Sequence, residues 1–303
     1  MNRRTGAIAI DISDPAIDEQ VAWISASRGA DELWYPWVMP FAKSNGQELY
    51  FEDTGGDGPA LVFMHGFLMD HRMFDAQVES LSARYRCVRW DARAFGKTRW
   101  DGQPFSLYDS VADCIGLMDH LGIAEATLIG MSQGGFCALR AALRHPDRVR
   151  ALVLLSTQSG VADDNTKVVY RQMRDTWAAS GPIEPLIDGL ANALLGPREQ
   201  FADAWDTWVP RWKQHSVQQL EHALNNLVDR DDIDPQIAEI ACPALIAHGT
   251  DDGMPIAVGE KLANDLPNCR GFIAIPGAYH AACMTHPDAL AAPLDDFLTK
   301  YAK

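Results

Sequence analysis

The chain has 303 residues, of which 47% are hydrophobic and 22% are charged, a composition typical of a globular protein with a substantial core. Its net charge of −15 argues against nucleic acid as a partner, because a phosphate backbone would be repelled. No apolar run approaches the roughly 18 residues that a membrane span needs. The apolar piece near the N-terminus is too short for a signal peptide. We therefore expect a cytoplasmic protein that binds neither nucleic acid nor a membrane.

The cysteines and histidines show no metal-binding pattern. The six cysteines are widely scattered without a C-x-x-C pair, and the nine histidines contain no H-E-x-x-H spacing. Several of the cysteines lie inside apolar stretches, where a free buried thiol is the usual state. We expect free thiols and no bound metal.

Residues 1–43 are interpreted as an N-terminal extension. The segment SDPAIDEQVAWISASRG predicts a short capped helix that begins near Asp14 and Pro15. The next segment, DELWYPWVMPF, is aromatic and broken by prolines, which indicates an irregular arm. Because an exposed apolar arm is a liability, we expect it to pack on the body of the protein or on a second subunit of a homodimer.

From Gln47 onward, short apolar runs alternate with amphipathic segments. The predicted strands are ELYFED, ALVFMHG, RCVRWD, ATLIG, VRALVLLS, CPALIAHG and GFIAIPG. Most are apolar on both faces, which is typical of a parallel sheet covered by helices on both sides. The pattern predicts an α/β fold with a mostly parallel central sheet, built from residues 44–158 and 238–303.

Residues 159–237 interrupt this alternation with four predicted helices and no clear strand. Three tryptophans fall at positions i, i+3 and i+7, on one helical face: Trp205, Trp208 and Trp212. Core packing between helices is the simpler explanation for any one of them. As a set they favour the apolar underside of a helical cap, or lid, that excludes water from a substrate pocket. We expect Trp205 and Trp208 to line that pocket together with Phe67, Leu68 and Met131.

Ser132 lies in the pentapeptide GMSQG, between the strand ATLIG and the helix GGFCALRAALR. Serine is a good helix cap, so the pentapeptide alone does not distinguish a cap from a nucleophile. A strand before the serine and a helix after it are the setting of a nucleophile elbow, with Gly130 and Gly134 keeping the tight turn uncrowded. We therefore interpret Ser132 as a candidate nucleophile.

A serine nucleophile needs a base and a group that orients the base. His280 follows the last predicted strand and is the best candidate base. His65 and His248 also end strands but are interpreted mainly as structural or as hydrogen-bonding neighbours of the site. Asp251 and Asp252 follow the penultimate strand. One of them is expected to be the acid, although an Asp-Gly turn without a catalytic role explains them as well.

Five motifs in this order resemble the α/β-hydrolase fold family, of the capped esterase and lactonase kind: FMHGF, DARAFGKT, GMSQGG, HGTDDGMP and PGAYH. The resemblance runs from about Gln47 to the C-terminus. It implies that the HGF segment is the oxyanion loop. The backbone N–H groups of Phe67 and Gln133 would then form the oxyanion hole.

The resemblance also implies a role for each candidate. Ser132 would be the nucleophile and His280 the base, and the order Ser, Asp, His along the chain is that of this family. The acid falls on Asp252 in the family pattern. Asp251 remains an alternative, because the spacing from Asp252 to Pro255 is one residue shorter than the common pattern.

The expected function is a serine hydrolase that cleaves a small-to-medium, largely apolar carboxylic ester or lactone through an acyl-enzyme, without a cofactor. Two other reactions could use the same three residues, namely carbon–carbon bond hydrolysis and cofactor-free perhydrolysis. The loop HGFLMD is poorer in glycine than is usual for the carbon–carbon hydrolases, which counts against them. A ligand-binding protein without activity is a further alternative.

Overall fold

The computed structural model describes residues 40–303, so the helix predicted near Asp14 and nearly all of the aromatic arm lie outside the described residues. Within the described part, eight strands form one sheet in the order β1-β2-β4-β3-β5-β6-β7-β8, with β1 and β2 antiparallel to their neighbours and the other strands parallel. The strands are β1 Phe41–Ser44, β2 Gln47–Asp53, β3 Ala60–Met64, β4 Arg86–Trp90, β5 Ala126–Met131, β6 Val149–Leu155, β7 Ala244–Gly249 and β8 Cys269–Ile275. The predicted parallel sheet is confirmed.

The first hairpin of the sheet was not predicted. Residues 41–43, assigned to the extension from the sequence, form most of β1, which pairs with β2. Asn45 and Gly46 connect the two strands, and both have positive φ, at 47° and 79°. This is the backbone of a two-residue turn whose twist matches paired strands, and Asn-Gly is its commonest sequence. The dipeptide was therefore an available signal for a strand too short to show a pattern.

Helices cover both faces of the central strands. All six residues of β5 are buried, and because neighbouring side chains of a strand point to opposite faces, both faces must be covered. The helices are α1 Asp75–Leu81, α2 Leu107–His120, α3 Gln133–Arg144, α4 Asp164–Ser180, α5 Glu184–Leu195, α6 Ala202–Trp212, α7 Val217–Val228, α8 Ile256–Asp265, α9 Ala282–Thr285 and α10 Pro287–Tyr301. Three short 3-10 helices complete the described elements.

Four of these helices, α4 to α7, lie between β6 and β7 and account for the interruption of the α/β pattern. Their number agrees with the four helices expected from the sequence. Trp205, Trp208 and Trp212 lie on α6 and are all buried. The helix continues through Pro210 to Trp212, although a proline inside a helix usually bends or ends it. Among residues 40–303, no helix is long and apolar enough to cross a membrane.

A largely buried ion cluster joins β2 to the segments that follow β3 and β4. His71 Nδ1 lies 2.7 Å from Asp91 Oδ1, and its Nε2 lies 3.4 Å from Glu52 Oε1. The backbone N–H of His71 also donates to Asp91, at 2.8 Å. Burial by itself lowers the pKa of His71, but the carboxylates of Asp91 and Glu52 outweigh burial and raise that pKa to about 9. The folded protein therefore holds His71 as an imidazolium at neutral pH.

This cluster predicts how stability depends on pH. The pKa of His71 is higher in the folded chain than the ordinary value of about 6.5, so its stabilising contribution is complete below pH 6.5 and is lost as the pH rises through 9. We expect the free energy of unfolding in urea to fall by up to ~3 kcal/mol over this range. In His71→Gln this part of the fall should disappear, whereas His120→Gln, which changes an exposed histidine, should keep it. An unchanged slope in His71→Gln would contradict the assignment.

Candidate active site

Ser132 occupies a sharp turn between the end of β5 and the start of α3. Its φ of 49° and ψ of −112° are unusual for a residue with a Cβ, and such strain persists only where neighbouring groups fix the backbone. The N–H of Ser132 donates to the carbonyl of Leu155 at 2.8 Å, and its carbonyl accepts from Thr157 Oγ1 at 2.9 Å. The Ser132 side chain makes no cap hydrogen bond to α3. Its hydroxyl is therefore available for another partner.

Two glycines make this turn possible. A Cβ at Gly134 would overlap the carbonyl of Met64 on the neighbouring strand β3. A Cβ at Gly130, on β5, would press on the backbone of Gly134 in the first turn of α3. The first turn of α3 therefore lies closer to the sheet than any other residue type would allow.

Replacing Gly134 with alanine is expected to destabilise the fold by several kcal/mol, because the methyl group meets backbone atoms that cannot rotate away. Thermal unfolding measures the effect. Gly189→Ala is the matched control: Gly189 lies inside α5 with open space around it, so alanine there should be neutral or stabilising by up to about 1 kcal/mol. Equal melting temperatures for the two variants would contradict the close approach.

His280 lies on the loop that follows β8 and points toward Ser132. Its Nε2 is 2.9 Å from Ser132 Oγ, and its Nδ1 is 2.9 Å from both oxygens of Asp252. The loop is held from the insertion as well as from the sheet, because the N–H of Ala281 donates to the carbonyl of Leu194 on α5 at 2.8 Å. The three predicted residues are thus brought together in one chain of hydrogen bonds.

The structure places Asp252, and not Asp251, against the imidazole. The Asp252 side chain is 1% exposed, and its Oδ1 also accepts from the N–H of Met254 at 2.8 Å. Burial raises the pKa of the Asp252 carboxyl, but the charge and hydrogen bond of His280 and the N–H of Met254 outweigh burial and hold the pKa below its ordinary value. Asp251 is exposed and accepts from Thr250 Oγ1 at 2.9 Å.

The loop after β3 lies beside the elbow. A Cβ built on Gly66 would be 3.6 Å from the Cβ of Ser132, so the next residue, Phe67, is adjacent to the site. Gln133 is the first residue of α3, where backbone N–H groups have no partner within the helix. None of the hydrogen bonds among the described residues uses the N–H of Phe67 or of Gln133. Both donors are available, and the α3 N-terminus favours negative charge nearby.

The other two histidines that end strands make backbone contacts. His65 Nε2 accepts from the N–H of Ala92 at 2.9 Å, and its Nδ1 lies 2.8 Å from the carbonyl of Gly66. His248 Nε2 lies 2.8 Å from the carbonyl of Met254 and 3.5 Å from Asp252 Oδ2, so His248 is also a neighbour of the site. These contacts hold the loop after β3 and the loop that carries Asp252.

A cavity of about 840 Å³ opens onto Ser132 and His280. This volume is within the range of small-molecule sites. The walls come mainly from α4 and α5, with contributions from the loops after β3 and β7. Most of the lining is apolar, and of the predicted pocket residues, Phe67 and Met131 belong to it.

Three predicted pocket residues do not line this cavity: Leu68, Trp205 and Trp208. Leu68 is 1% exposed and lies in the core. Trp205 donates from Nε1 to the carbonyl of Gly196 at 2.9 Å, and the buried face of α6 packs against α5 instead of the cavity. The prediction was wrong because an apolar helical face identifies a buried surface but not the element that buries it.

Sequence reasoning missed several lining residues, among them Phe136, Tyr170, Met173 and Arg230. Tyr170 and Met173 are spaced i, i+3 on α4, which was an available signal for a shared face. Arg230 gave no such signal, because its neighbours in VDRDDID are acidic and typical of a solvated surface.

Residues 59–287 match the family described as the alpha/beta hydrolase fold. The chain belongs to the α/β-hydrolase fold family. Its match covers most of the chain and includes the whole of the sheet from β3 onward together with Ser132, Asp252 and His280.

Curated relatives of this α/β-hydrolase are enzymes. The chain is 28% identical over 260 residues to a pimeloyl-[acyl-carrier protein] methyl ester esterase of Edwardsiella ictaluri, covering 82% of this chain and 96% of that protein. It is 26% identical over 283 residues to a non-heme haloperoxidase of Rhodococcus erythropolis, covering 86% of this chain and 99% of that protein.

Solved structures that resemble this chain are also enzymes. A thermophilic esterase from Thermogutta terrifontis has a TM-score of 0.78 at 26% identity, covering 87% of this chain and 98% of its own. The enol-lactonase from Burkholderia xenovorans LB400 has a TM-score of 0.78 at 26% identity, covering 86% of this chain and 100% of its own. This α/β-hydrolase is therefore an enzyme resembling esterases and lactonases.

Proposed function

We propose that this α/β-hydrolase is a serine hydrolase that cleaves a small-to-medium, largely apolar carboxylic ester or lactone through an acyl-enzyme. The observation that carries the proposal is the contact of Ser132 Oγ with His280 Nε2, at 2.9 Å, at the base of a largely apolar cavity. A serine hydroxyl is a weak nucleophile until a base removes its proton, and here the base is already within hydrogen-bond distance.

In the first half of the reaction, Ser132 Oγ attacks the ester carbonyl while His280 Nε2 takes the hydroxyl proton. Asp252 accepts from Nδ1–H, which fixes the tautomer that leaves Nε2 free to act as base, and its charge stabilises the imidazolium that forms. The low pKa of Asp252 keeps it ionised throughout. His280 then gives its proton to the departing alcohol, or to the ring oxygen of an opening lactone.

The negative charge that develops on the carbonyl oxygen would be held by the N–H groups of Phe67 and Gln133. Donors already fixed in place stabilise this charge without reorganising during the reaction, and loss of one typically costs on the order of 100-fold in rate. In the second half, water attacks the acyl-enzyme, His280 takes the proton of that water and returns it to Ser132, and the carboxylic acid leaves.

The helical insertion, residues 159–237, is proposed to act as a cap over this site. Two contacts support this role: α4 and α5 supply most of the cavity wall, and α5 bonds to the loop that carries His280. A wall of this kind excludes water and binds the apolar part of the substrate.

The proposal is tested with p-nitrophenyl esters of increasing acyl length, a set of lactones and a set of peptide substrates. We expect turnover of esters or lactones, with a burst of p-nitrophenol close to one equivalent per chain when deacylation is slower than acylation. Turnover of peptides alone, or of none of these, would contradict the proposal.

A second candidate function is perhydrolysis, which the similarity to a haloperoxidase favours. Here hydrogen peroxide replaces water in the second half, so that the acyl group leaves as a peracid and Ser132 is regenerated. Bromination of monochlorodimedone in acetate, hydrogen peroxide and bromide measures it, because the peracid oxidises bromide to the species that brominates the dye. Perhydrolysis faster than ester hydrolysis would make it the main activity.

A further inference from the structure

Arg230 lines the same cavity as Ser132 but pairs with no carboxylate of the described residues 40–303. It follows the end of α7 and is 7% exposed. Its Nε donates to the carbonyl of Gly160 at 3.2 Å, its Nη1 donates to the carbonyl of Leu227, and the guanidinium lies 4.4 Å from the ring centre of Phe136. Among residues 40–303, it makes no salt bridge and its Nη2 makes no hydrogen bond.

The two carboxylates that line the cavity in the described part of the chain are already engaged elsewhere. Asp252 faces His280, and Asp163 caps α4 by accepting from the N–H and Oγ1 of Thr166, at 2.9 and 2.7 Å. Burial lowers the pKa of Arg230 to about 10, and this residue remains cationic at neutral pH. A buried cation without a counter-charge is costly, because neutral carbonyls and an aromatic ring replace its hydration only in part.

Resting on the proposed function, we propose that Arg230 binds a carboxylate on the part of the substrate remote from the ester. Two of its five N–H donors are used by Gly160 and Leu227, which leaves one on Nη1 and two on Nη2. Parallel donation from Nη1 and Nη2 fits the two oxygens of a carboxylate, and one negative charge balances one guanidinium. The substrate then has its ester or lactone group beside Ser132, an apolar middle and a carboxylate at the other end.

The test compares two esters of one length: the mono-p-nitrophenyl ester of suberic acid, and the same ester with its far carboxylate blocked as a methyl ester. The corresponding two esters of adipic acid repeat the comparison with a shorter acyl group. Measurements in about 0.15 M salt screen long-range repulsion from the net charge of −15. We expect the acid ester to have the higher kcat/KM in at least one pair, by about 10-fold or more, since hydrogen bonds between charged groups are the strong ones.

Arg230→Met should lower the ratio of kcat/KM for acid over methyl ester by roughly 10- to 100-fold, mainly through KM. Arg230→Lys, which keeps the charge but loses the planar fork, should retain part of the preference. Arg198→Met, which removes an exposed arginine outside the cavity, should leave the ratio unchanged. Because each ratio is measured within one variant, a partial loss of folded enzyme cancels.

Three results would overturn the proposal. Equal or lower kcat/KM for the acid ester in both pairs, with turnover that depends on Ser132, would leave the serine hydrolase intact and make Arg230 a structural residue. The same conclusion follows if Arg230→Met lowers kcat/KM for the acid ester and for the methyl ester by the same factor. Turnover that does not depend on Ser132 would instead remove the proposed function, and this inference with it.

Discussion

Ser132→Ala is expected to lower kcat for p-nitrophenyl ester hydrolysis by at least 10⁴-fold, on the order of the losses seen when serine hydrolases lose a nucleophile. The reason is that Ser132 Oγ is the hydroxyl oxygen bonded to His280 Nε2, and no second hydroxyl of residues 40–303 makes that bond. The residual rate would come from substrate binding and the oxyanion hole alone. Steady-state kinetics on purified protein, with active-site titration of the parent, measures this loss.

The fold should survive this substitution. The Ser132 side chain makes no cap bond, and alanine at this position keeps a Cβ in the same unusual backbone conformation. We expect melting temperatures within a few degrees of the parent. Ser180→Ala, an exposed change at the end of α4, should keep full activity. Ester turnover in Ser132→Ala within 10-fold of the parent would rule out the acyl-enzyme.

Asp252→Asn is expected to lower kcat by about 10³- to 10⁴-fold, whereas Asp251→Asn should change it less than about threefold. The two residues are adjacent in the chain, but only Asp252 bonds to His280 Nδ1. An amide there can donate toward Nδ1, which favours the tautomer whose Nε2 carries the proton and cannot act as a base. The negative charge that offsets the imidazolium is lost as well.

This pair of variants carries its own control, because both remove one carboxylate from the same loop. A structural effect of the loop would affect both variants, and a general effect of net charge would be the same in each. Loss of activity in Asp251→Asn with an active Asp252→Asn would reverse the assignment of the acid. It would also mean that the loop after β7 rearranges during catalysis.

The sequence predicted those features that local pattern determines. The continuous apolar runs at β3, β5, β6 and β7 predicted buried parallel strands, because only strands covered on both faces need them. Parallel strands end at one edge of a sheet, so a serine after β5, an aspartate after β7 and a histidine after β8 were expected to lie together. The hydrogen bonds of His280 agree with that expectation.

The features that were predicted wrongly or missed depend on how helices and strands pack on one another. Trp205 and Trp208 were assigned to the pocket from the apolar face of α6, but that face packs against α5. Arg230 was not singled out among its acidic neighbours, yet it is buried in the cavity wall. A one-dimensional pattern specifies which side chains are buried and leaves open which neighbour covers them.

The central claim is that Ser132 is a nucleophile activated by His280, and covalent labelling tests it most directly. The purified protein is treated with a fluorophosphonate, and the adduct is located by mass spectrometry of its peptides. We predict one adduct per chain, on Ser132, with labelling abolished in Ser132→Ala and slowed at least 100-fold in His280→Ala. An unlabelled Ser132, or an adduct on another residue that accounts for the loss of activity, would contradict the account.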